Sequence, residues 1–276
     1  MSHILQIDKL EDDSALFALA LGPATRTSIT LCGGSSRGFA DISQLFGVWQ
    51  ALRLPVSLVV PAGVERFLPS GITQASMDGD IRKQRELTAW QLIDSAGLVV
   101  VGPNMQLTST EQVMYARLLP NVTVPVILTD EALSLWSIDS GIQENTHITW
   151  LASTDLVEKM QFAQGQKIIK ARGIFGVAEF LRSLPLPHDF VMLYDAVNLY
   201  SYIPASDMLI HTSLQGSQKQ TRNLVLALLP VTVFARSRGV ALQERLRVLH
   251  YLFSIISENT IGDSDVWSAQ IKRALS

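Results

Sequence analysis

LCGGSSRGFADISQLFGVWQALRLPVSLVVP, residues 31–61, has the pattern of a strand, a glycine-rich turn, a helix and a second strand. Both strand segments are continuous apolar runs, which is typical of parallel strands buried on both faces. Gly33, Gly34 and Gly38 lie in the turn, where backbone N–H groups could hold a phosphate. The same glycines could equally serve a turn that needs a positive φ. Because the turn is neither G-x-G-x-x-G nor a P-loop, both interpretations stay open.

The same alternation continues through most of the chain and predicts an α/β fold with a mostly parallel sheet covered on both faces. The strand-like runs cover 28–33, 56–61, 97–102, 124–129, 148–152 and 189–194, and the helical patterns between them cover 40–53, 81–95, 108–119, 153–160 and 171–183. Residues 198–213 predict a hairpin that turns at Pro204 to Ser206. The remainder predicts helices over 219–235, 240–259 and 264–275. Because no linker and no repeat interrupts the sequence, we expect one domain over residues 1–276.

The composition argues against several classes of protein. Of the 276 residues, 47% are hydrophobic and 17% charged, which excludes a disordered chain. The net charge of -3 and the absence of a basic run argue against a nucleic-acid or membrane surface. A single cysteine, Cys32, cannot form an intramolecular disulfide, so we expect a reducing, cytoplasmic location. Its apolar surroundings predict a buried structural thiol.

Candidate ligand-binding groups follow the predicted strands, because ligands of open α/β sheets bind beyond the carboxyl ends of the strands. The candidates are Gly102 to Asn104, Asp130 with Glu131, and GSQKQTRN at 216–223. Acidic residues in a first helical turn also favour the helix dipole, so two interpretations of Asp130 and Glu131 remain. STEQ at 109–112 predicts a capping box. The five histidines are far apart and show no zinc pattern, and His211 is interpreted as structural.

The order of these segments resembles the ADP- or ATP-dependent NAD(P)H-hydrate dehydratases of the ribokinase-like superfamily, from about residue 28 to about residue 255. The matching segments are CGGSSRGFADISQLFGVWQALRLPVSLVVP, LIDSAGLVVVGPNM, VPVILTDEALSLW, ITWLASTDLVEKM, GVAEFLRSLPLPHDFVMLYDAVNLYSYIPASDMLIHTS and TRNLVLALL. The resemblance implies a ribokinase-like three-layer α/β/α domain with a late hairpin and a helical C-terminal portion. It also implies phosphoryl transfer to the hydrate hydroxyl, with ADP or ATP and Mg²⁺.

The positions that carry the family's chemistry differ in this chain. The family's Gly-Pro-Gly becomes Gly102-Pro103-Asn104, its two Asp positions become Thr129 and Glu131, its Thr-Pro-His becomes Ala152-Ser153-Thr154, and its Lys-Gly becomes Tyr194-Asp195. At the catalytic helix, Asn223 stands where the family has its catalytic Asp, and Arg222 replaces a glycine. No Asp or Glu occurs between Asp207 and Glu244, so no local shift of the alignment restores the carboxylate.

The resemblance assigns the site residues one by one. Asn223 takes the catalytic position, without the base; Gly216, Thr221 and Arg222 take phosphate-binding positions; and Gly34, Arg37, Gly102, Asn104, Asp130 and Glu131 take substrate-binding positions. No metal ligand is assigned. Arg37 and Arg222 could neutralise phosphate, although an isolated Arg is more often a solvated surface residue.

Three functional hypotheses follow. The favoured one is a diverged, catalytically impaired member of the family that binds a nucleotide or nucleotide-like small molecule. The second is an active dehydratase or small-molecule kinase whose base is relocated to Asp130 or Glu131. The third is a structural subunit that acts through interactions. By analogy with the family we expect a homo-oligomer, with neither nucleic acid nor membrane as a partner.

Overall fold

The fold is built on one ten-stranded sheet. The computed structural model describes residues 3–6, 27–34, 39–60, 73–76, 82–103, 105, 108–138, 140–163, 173–187, 189–213, 218–234, 240–259 and 264–275. Within these ranges the strands are β1 His3–Gln6, β2 Ile29–Cys32, β3 Val56–Val60, β4 Thr73–Ser76, β5 Leu98–Val101, β6 Val126–Thr129, β7 Ile148–Ser153, β8 Val191–Tyr194, β9 Asn198–Ile203 and β10 Met208–Ser213. Their spatial order is β1-β10-β9-β8-β7-β6-β5-β2-β3-β4.

The sheet is mostly parallel, as the continuous apolar runs predict. Among the ten described strands, β9 alone runs against the others; it pairs antiparallel with both β8 and β10. The remaining neighbours pair in parallel, including β1 with β10. From β2 the chain builds outward through β3 and β4, and it then returns to the other side of β2 with β5. The carboxyl ends of β2 and β5 therefore flank the topological switch point, where ligands of such sheets commonly bind.

Helices cover both faces and complete three layers. They are α1 Phe39–Ala51, α2 Arg82–Asp94, α3 Ser109–Leu118, α4 Leu133–Ile138, α5 Ser140–Glu144, α6 Thr154–Ala163, α7 Gly173–Arg182, α8 Gln218–Thr232, α9 Leu242–Asn259 and α10 Ser264–Leu275. Strand residues alternate between two buried clusters, since successive side chains of a strand point to opposite faces. Leu31 packs with α1, α8, α9 and α10 on one face. Cys32 packs with the helices from α2 to α7 on the other.

The elements predicted from the sequence are confirmed, including the hairpin with its turn at Pro204–Ser206. Four short elements were not predicted: the edge strands β1 and β4 and the helices α4 and α5. The capping box begins one residue earlier than predicted. Thr108, not Ser109, has the extended backbone of an N-cap, and its hydroxyl accepts a hydrogen bond from the Glu111 N–H. Glu111 Oε2 in turn accepts from the Thr108 N–H at 2.8 Å.

A fully buried histidine joins α9 to the hairpin. The ring nitrogens of His250 lie 2.9 Å from the hydroxyls of Thr212 and Ser201. Burial, together with nearby His211, lowers the pKa of His250 to about 3. The folded protein therefore holds this imidazole neutral, with one nitrogen donating and the other accepting.

Acidification is expected to lower the free energy of unfolding more in the wild-type protein than in a His250→Gln variant. In the unfolded chain His250 binds a proton below about pH 6.5, whereas in the fold it stays neutral down to about pH 3. Its contribution to stability is thus complete above pH 6.5 and lost as the pH falls. Between about pH 7 and pH 5 the free energy of unfolding should drop by about 2 kcal/mol more in the wild type than in the variant. Urea unfolding at both pH values measures this, and equal drops would contradict it.

Candidate functional site

The two glycine-containing turns at the switch point pack against each other. The Gly34 N–H donates to the Pro103 carbonyl at 3.0 Å, and the Gly102 N–H donates to the Cys32 carbonyl at 2.9 Å. The Gly33 N–H donates to the Val59 carbonyl at 3.1 Å. These three N–H groups are therefore used by the backbone of neighbouring strands and turns, and an anion would have to be held by other donors.

Close packing also explains why glycine is needed at two of these positions. A Cβ on Gly33 would lie 2.8 Å from the Pro103 carbonyl oxygen. A Cβ on Gly102, whose φ is +122°, would lie 2.4 Å from the Thr129 carbonyl oxygen. Gly34 likewise has a positive φ, of 97°. The turn geometry thus accounts for these glycines, and the assignment of Gly34 and Gly102 to substrate stays a prediction.

A cluster of polar groups lies at the carboxyl ends of β6, β7 and β8 and is centred on Asp130. This residue follows β6 directly, in a single 3-10 turn over Asp130–Ala132, and its φ is +24°. Its Oδ1 accepts from the Ser153 N–H at 3.2 Å, and the Tyr194 hydroxyl lies 2.7 Å from Oδ1 and 2.6 Å from Oδ2. Arg222 Nη1 donates to Oδ2 at 3.0 Å. These donors come from β7, β8 and α8, so the carboxylate joins three elements rather than capping its own turn.

The electrostatics of the cluster follow from its burial. The side chains of Arg222 and Asp130 are 6% and 14% exposed. Burial raises the pKa of Tyr194 far above its ordinary value, and the Asp130 carboxylate raises it further, so the phenol stays protonated and donates. Burial lowers the pKa of the Arg222 guanidinium, but Asp130 and Tyr194 more than offset this, and the pKa is raised. The cluster is thus a charged pair with a neutral phenol beside it.

The interpretation of Arg222 as a solvated surface residue is wrong. Arg222 lies in the second turn of α8, on the side that faces the sheet, and its charge is balanced by a carboxylate 92 positions earlier in the chain. Such a pairing leaves no signature in the local sequence around either residue. An arginine without a nearby acid in the sequence is therefore predicted to be exposed, even where the fold brings an acid next to it.

Asn223, at the position expected to carry the catalytic base, is buried and held at both ends of its amide. Its Oδ1 accepts from Arg222 Nε at 3.3 Å, and its Nδ2 donates to Gln44 Oε1 of α1 at 2.9 Å. Thr221 beside it is also buried, whereas Glu131 is exposed. Gly216, Arg37 and Asn104 lie outside the described residues.

Ser153, Tyr194 and Gln44 are not among the predicted site residues, although the resemblance places Ser153 and Tyr194 at positions that carry the family's chemistry. Ser153 and Tyr194 end adjacent strands and are register partners across the β7–β8 pair. The rule that ligands bind beyond strand ends could have identified both residues once β7 and β8 were placed side by side. Gln44 lies inside a helix and gave no comparable signal.

Two residues interpreted as structural are buried. Cys32 is fully buried, and burial raises the pKa of its thiol to about 12, so it stays protonated and unreactive. His211 is 3% exposed; its Nε2 lies 2.9 Å from Asn198 Oδ1, and its ring stacks on Tyr200. In the described part of the chain, no three His, Cys, Asp or Glu side chains are grouped closely enough to bind a metal ion. No described helix combines the length and the apolarity needed to cross a bilayer.

Comparison with solved structures identifies the fold. The structure is similar to a ribokinase-like superfamily protein from Enterococcus faecalis V583, with a TM-score of 0.69 and 10% identity over 98% of this chain and 95% of that one. A hypothetical protein from Streptococcus mutans matches equally, with a TM-score of 0.69 and 14% identity over 97% and 98%. A mutant of phosphofructokinase-2 from Escherichia coli gives a TM-score of 0.55 and 9% identity over 91% and 100%.

These likenesses establish a three-layer, ribokinase-like α/β/α fold. No protein-family model matches the chain, and no curated protein sequence does either. At 9 to 14% identity the solved structures show the fold alone. The resemblance to NAD(P)H-hydrate dehydratases therefore stays a prediction.

Proposed function

We propose that this protein is a diverged, dehydratase-like member of the ribokinase-like fold that binds an adenine nucleotide but does not transfer its phosphoryl group. The observation that carries the proposal is the environment of Asn223. Both polar ends of its amide are engaged, by Arg222 and by Gln44. An amide cannot take up a hydroxyl proton at neutral pH. Losing a general base costs roughly 10² to 10⁴ in rate.

Asp130 is the alternative base, and its surroundings argue against that role. The Tyr194 hydroxyl and Arg222 Nη1 both lie within 3.0 Å of its carboxylate oxygens. A substrate hydroxyl would have to displace one of these donors before it could pass a proton to Asp130. A free general base needs an open approach at hydrogen-bonding distance, and this carboxylate does not offer one.

The hydrogen-bond donors around Asp130 support the proposal that the protein binds a nucleotide. Arg222, the Tyr194 hydroxyl and the Ser153 N–H all present hydrogens, which suit phosphate oxygens rather than a metal ion. In our proposal Arg222 and Thr221 lie along the phosphates of ADP or ATP. Mg²⁺ would arrive with the nucleotide, since Mg²⁺ is commonly held by substrate phosphates and few protein groups.

Thermal unfolding with nucleotides tests this function. At millimolar ADP or ATP with Mg²⁺, the melting temperature is expected to rise by several degrees. A ligand at 100 times its Kd adds about 2.7 kcal/mol, and roughly 2–4 °C follows per kcal/mol for a domain of this size. Adenosine, which lacks phosphate, is the matched control and should give little shift.

A turnover assay with hydrated NADH completes the test, and we expect no product. Turnover that is lost on changing Asp130 to Asn or Glu131 to Gln would instead show an active enzyme with a relocated base. No shift with ADP, ATP or AMP would reject nucleotide binding altogether.

A further inference from the structure

The donors around Asp130 form a receptor for an oxyanion, defined here as the cage of the Ser153 N–H, the Tyr194 hydroxyl and the Arg222 guanidinium. They come from the ends of β7 and β8 and from α8, and they converge on two carboxylate oxygens at distances of 2.6 to 3.2 Å. Ser153 also caps the start of α6, because its hydroxyl accepts a hydrogen bond from the Leu156 N–H at 3.3 Å. The positive end of that helix therefore lies beside the cage.

We propose that Asp130 fills this cage as an internal anion in the ligand-free protein, and that the phosphoryl group of a small molecule binds by displacing it. The inference rests on the proposed function for the identity of the ligand, while the displacement rests on the cage itself. Asp130 then acts as an autoinhibitory contact, and the affinity for anions is set by competition with its carboxylate.

Burial shows which member of the cluster can leave. The Arg222 side chain is 6% exposed and Tyr194 is 3% exposed, so both are fixed within packed elements. Asp130 is the more exposed partner of the ion pair, at 14%, and it stands on a short 3-10 turn rather than within a strand or a long helix. Its φ of +24° is sparsely populated for a residue with a side chain, so a rearranged turn could relieve strain.

The charges favour an anion once Asp130 has moved. Without its carboxylate the cage contains one buried cation and two neutral donors. Exposed Glu131 is a second acid whose charge acts on Arg222 and Tyr194, and it lies in the same turn as Asp130. When Asp130 leaves, the buried guanidinium loses the carboxylate that it binds, so an incoming phosphate is favoured at that position.

A phosphate matches the donors better than the carboxylate does. The Tyr194 hydroxyl lies almost equally close to both Asp130 oxygens, but it has a single proton to donate. A phosphoryl group offers three oxygens to three donors that approach from three elements. One oxygen could then face each of Ser153, Tyr194 and Arg222.

Calorimetric titration with inorganic pyrophosphate tests the displacement. Asp130→Asn removes the internal charge and is expected to bind pyrophosphate about tenfold more tightly than the wild type, or better. Adding Arg222→Gln to this variant should abolish the gain. Asp207→Asn is the matched control: it removes the acid of the exposed Arg182–Asp207 ion pair, which lies outside the cage, and it should bind as the wild type does.

Circular dichroism and melting curves check that the variants fold. Asp130→Gly provides a second route, because glycine lacks the carboxylate and tolerates a positive φ. It is also expected to gain affinity. Unchanged affinity in both Asp130 variants, or an equal gain in Asp207→Asn, would overturn the proposal.

The outcomes separate this inference from the proposed function. If ADP fails to stabilise the wild type while Asp130→Asn gains pyrophosphate affinity, the cage is supported and the nucleotide assignment is rejected. If ADP stabilises the wild type but Asp130→Asn gains nothing, nucleotide binding is supported and displacement of Asp130 is rejected.

Discussion

Replacing Gly102 with alanine is expected to lower the free energy of unfolding by about 4 kcal/mol. Two costs add. The φ of +122° lies in a region that residues with a Cβ rarely adopt, and the new methyl group would meet the Thr129 carbonyl oxygen at 2.4 Å and the Ala132 Cβ at 2.7 Å. Thr129 ends β6 directly before Asp130, and Ala132 lies in the same 3-10 turn as Asp130. Any relaxation that accommodates the methyl group must therefore move the candidate site as well.

Gly173→Ala is the matched control for this prediction. Gly173 also has a positive φ, of 65°, but a Cβ there would meet nothing within 4 Å. The backbone cost alone remains, so we expect a loss of about 1 kcal/mol. Urea unfolding of the two variants measures the difference. Equal losses would show that the contact between the Gly102 turn and β6 is looser than described.

Replacing Arg222 with methionine is expected to cost about 3 kcal/mol of stability. The substitution keeps most of the side-chain length but leaves the Asp130 carboxylate without its counter-charge in a largely buried position. Adding Asp130→Asn removes that stranded charge. The double variant should therefore be more stable than Arg222→Met alone, with a coupling of about 1–3 kcal/mol.

The Arg182–Asp207 ion pair provides the comparison. Its N···O distance of 2.7 Å is shorter than that of the Arg222–Asp130 pair, but its side chains are 40% and 38% exposed. Solvent screening makes such a pair weak, so Arg182→Met should lose far less stability. Denaturant unfolding of the wild type, Arg222→Met, Asp130→Asn and the double variant measures the cycle, and Arg182→Met is unfolded beside them. Simple additivity of the Arg222 and Asp130 changes would contradict the coupling.

The fold could be predicted from the sequence because its core strands are continuous apolar runs. VILT at β6 and LVVV at β5 are recognisable without context. The missed strands are HILQ and TQAS, which lie at the two edges of the sheet. An edge strand is stabilised by one neighbour that the local sequence does not reveal, so its composition is less distinctive.

Two signals in the sequence predict members of the candidate site. Asp130 follows a strand, and the resemblance assigns Arg222 to a phosphate-binding position. Neither signal shows that Asp130 contacts Tyr194 and Arg222, which lie 64 and 92 positions further along the chain. Position in the fold, rather than residue type, decides whether a carboxylate is a base or one half of an ion pair. That information appears only when the strands lie side by side.

The parallel pairing of β1 with β10 sets an order of events during synthesis. Ile4 finds its register partner Leu209 only after roughly 200 further residues have been made. At roughly 5–20 residues per second, a ribosome leaves that first segment without its partner for roughly 10 to 40 seconds. The nascent chain can assemble its sheet from β2 outward in that time, but β1 cannot pair before β10 has been made. Within the sheet, β1 is therefore the last of the described strands that can take its place, although it precedes the other nine in the chain.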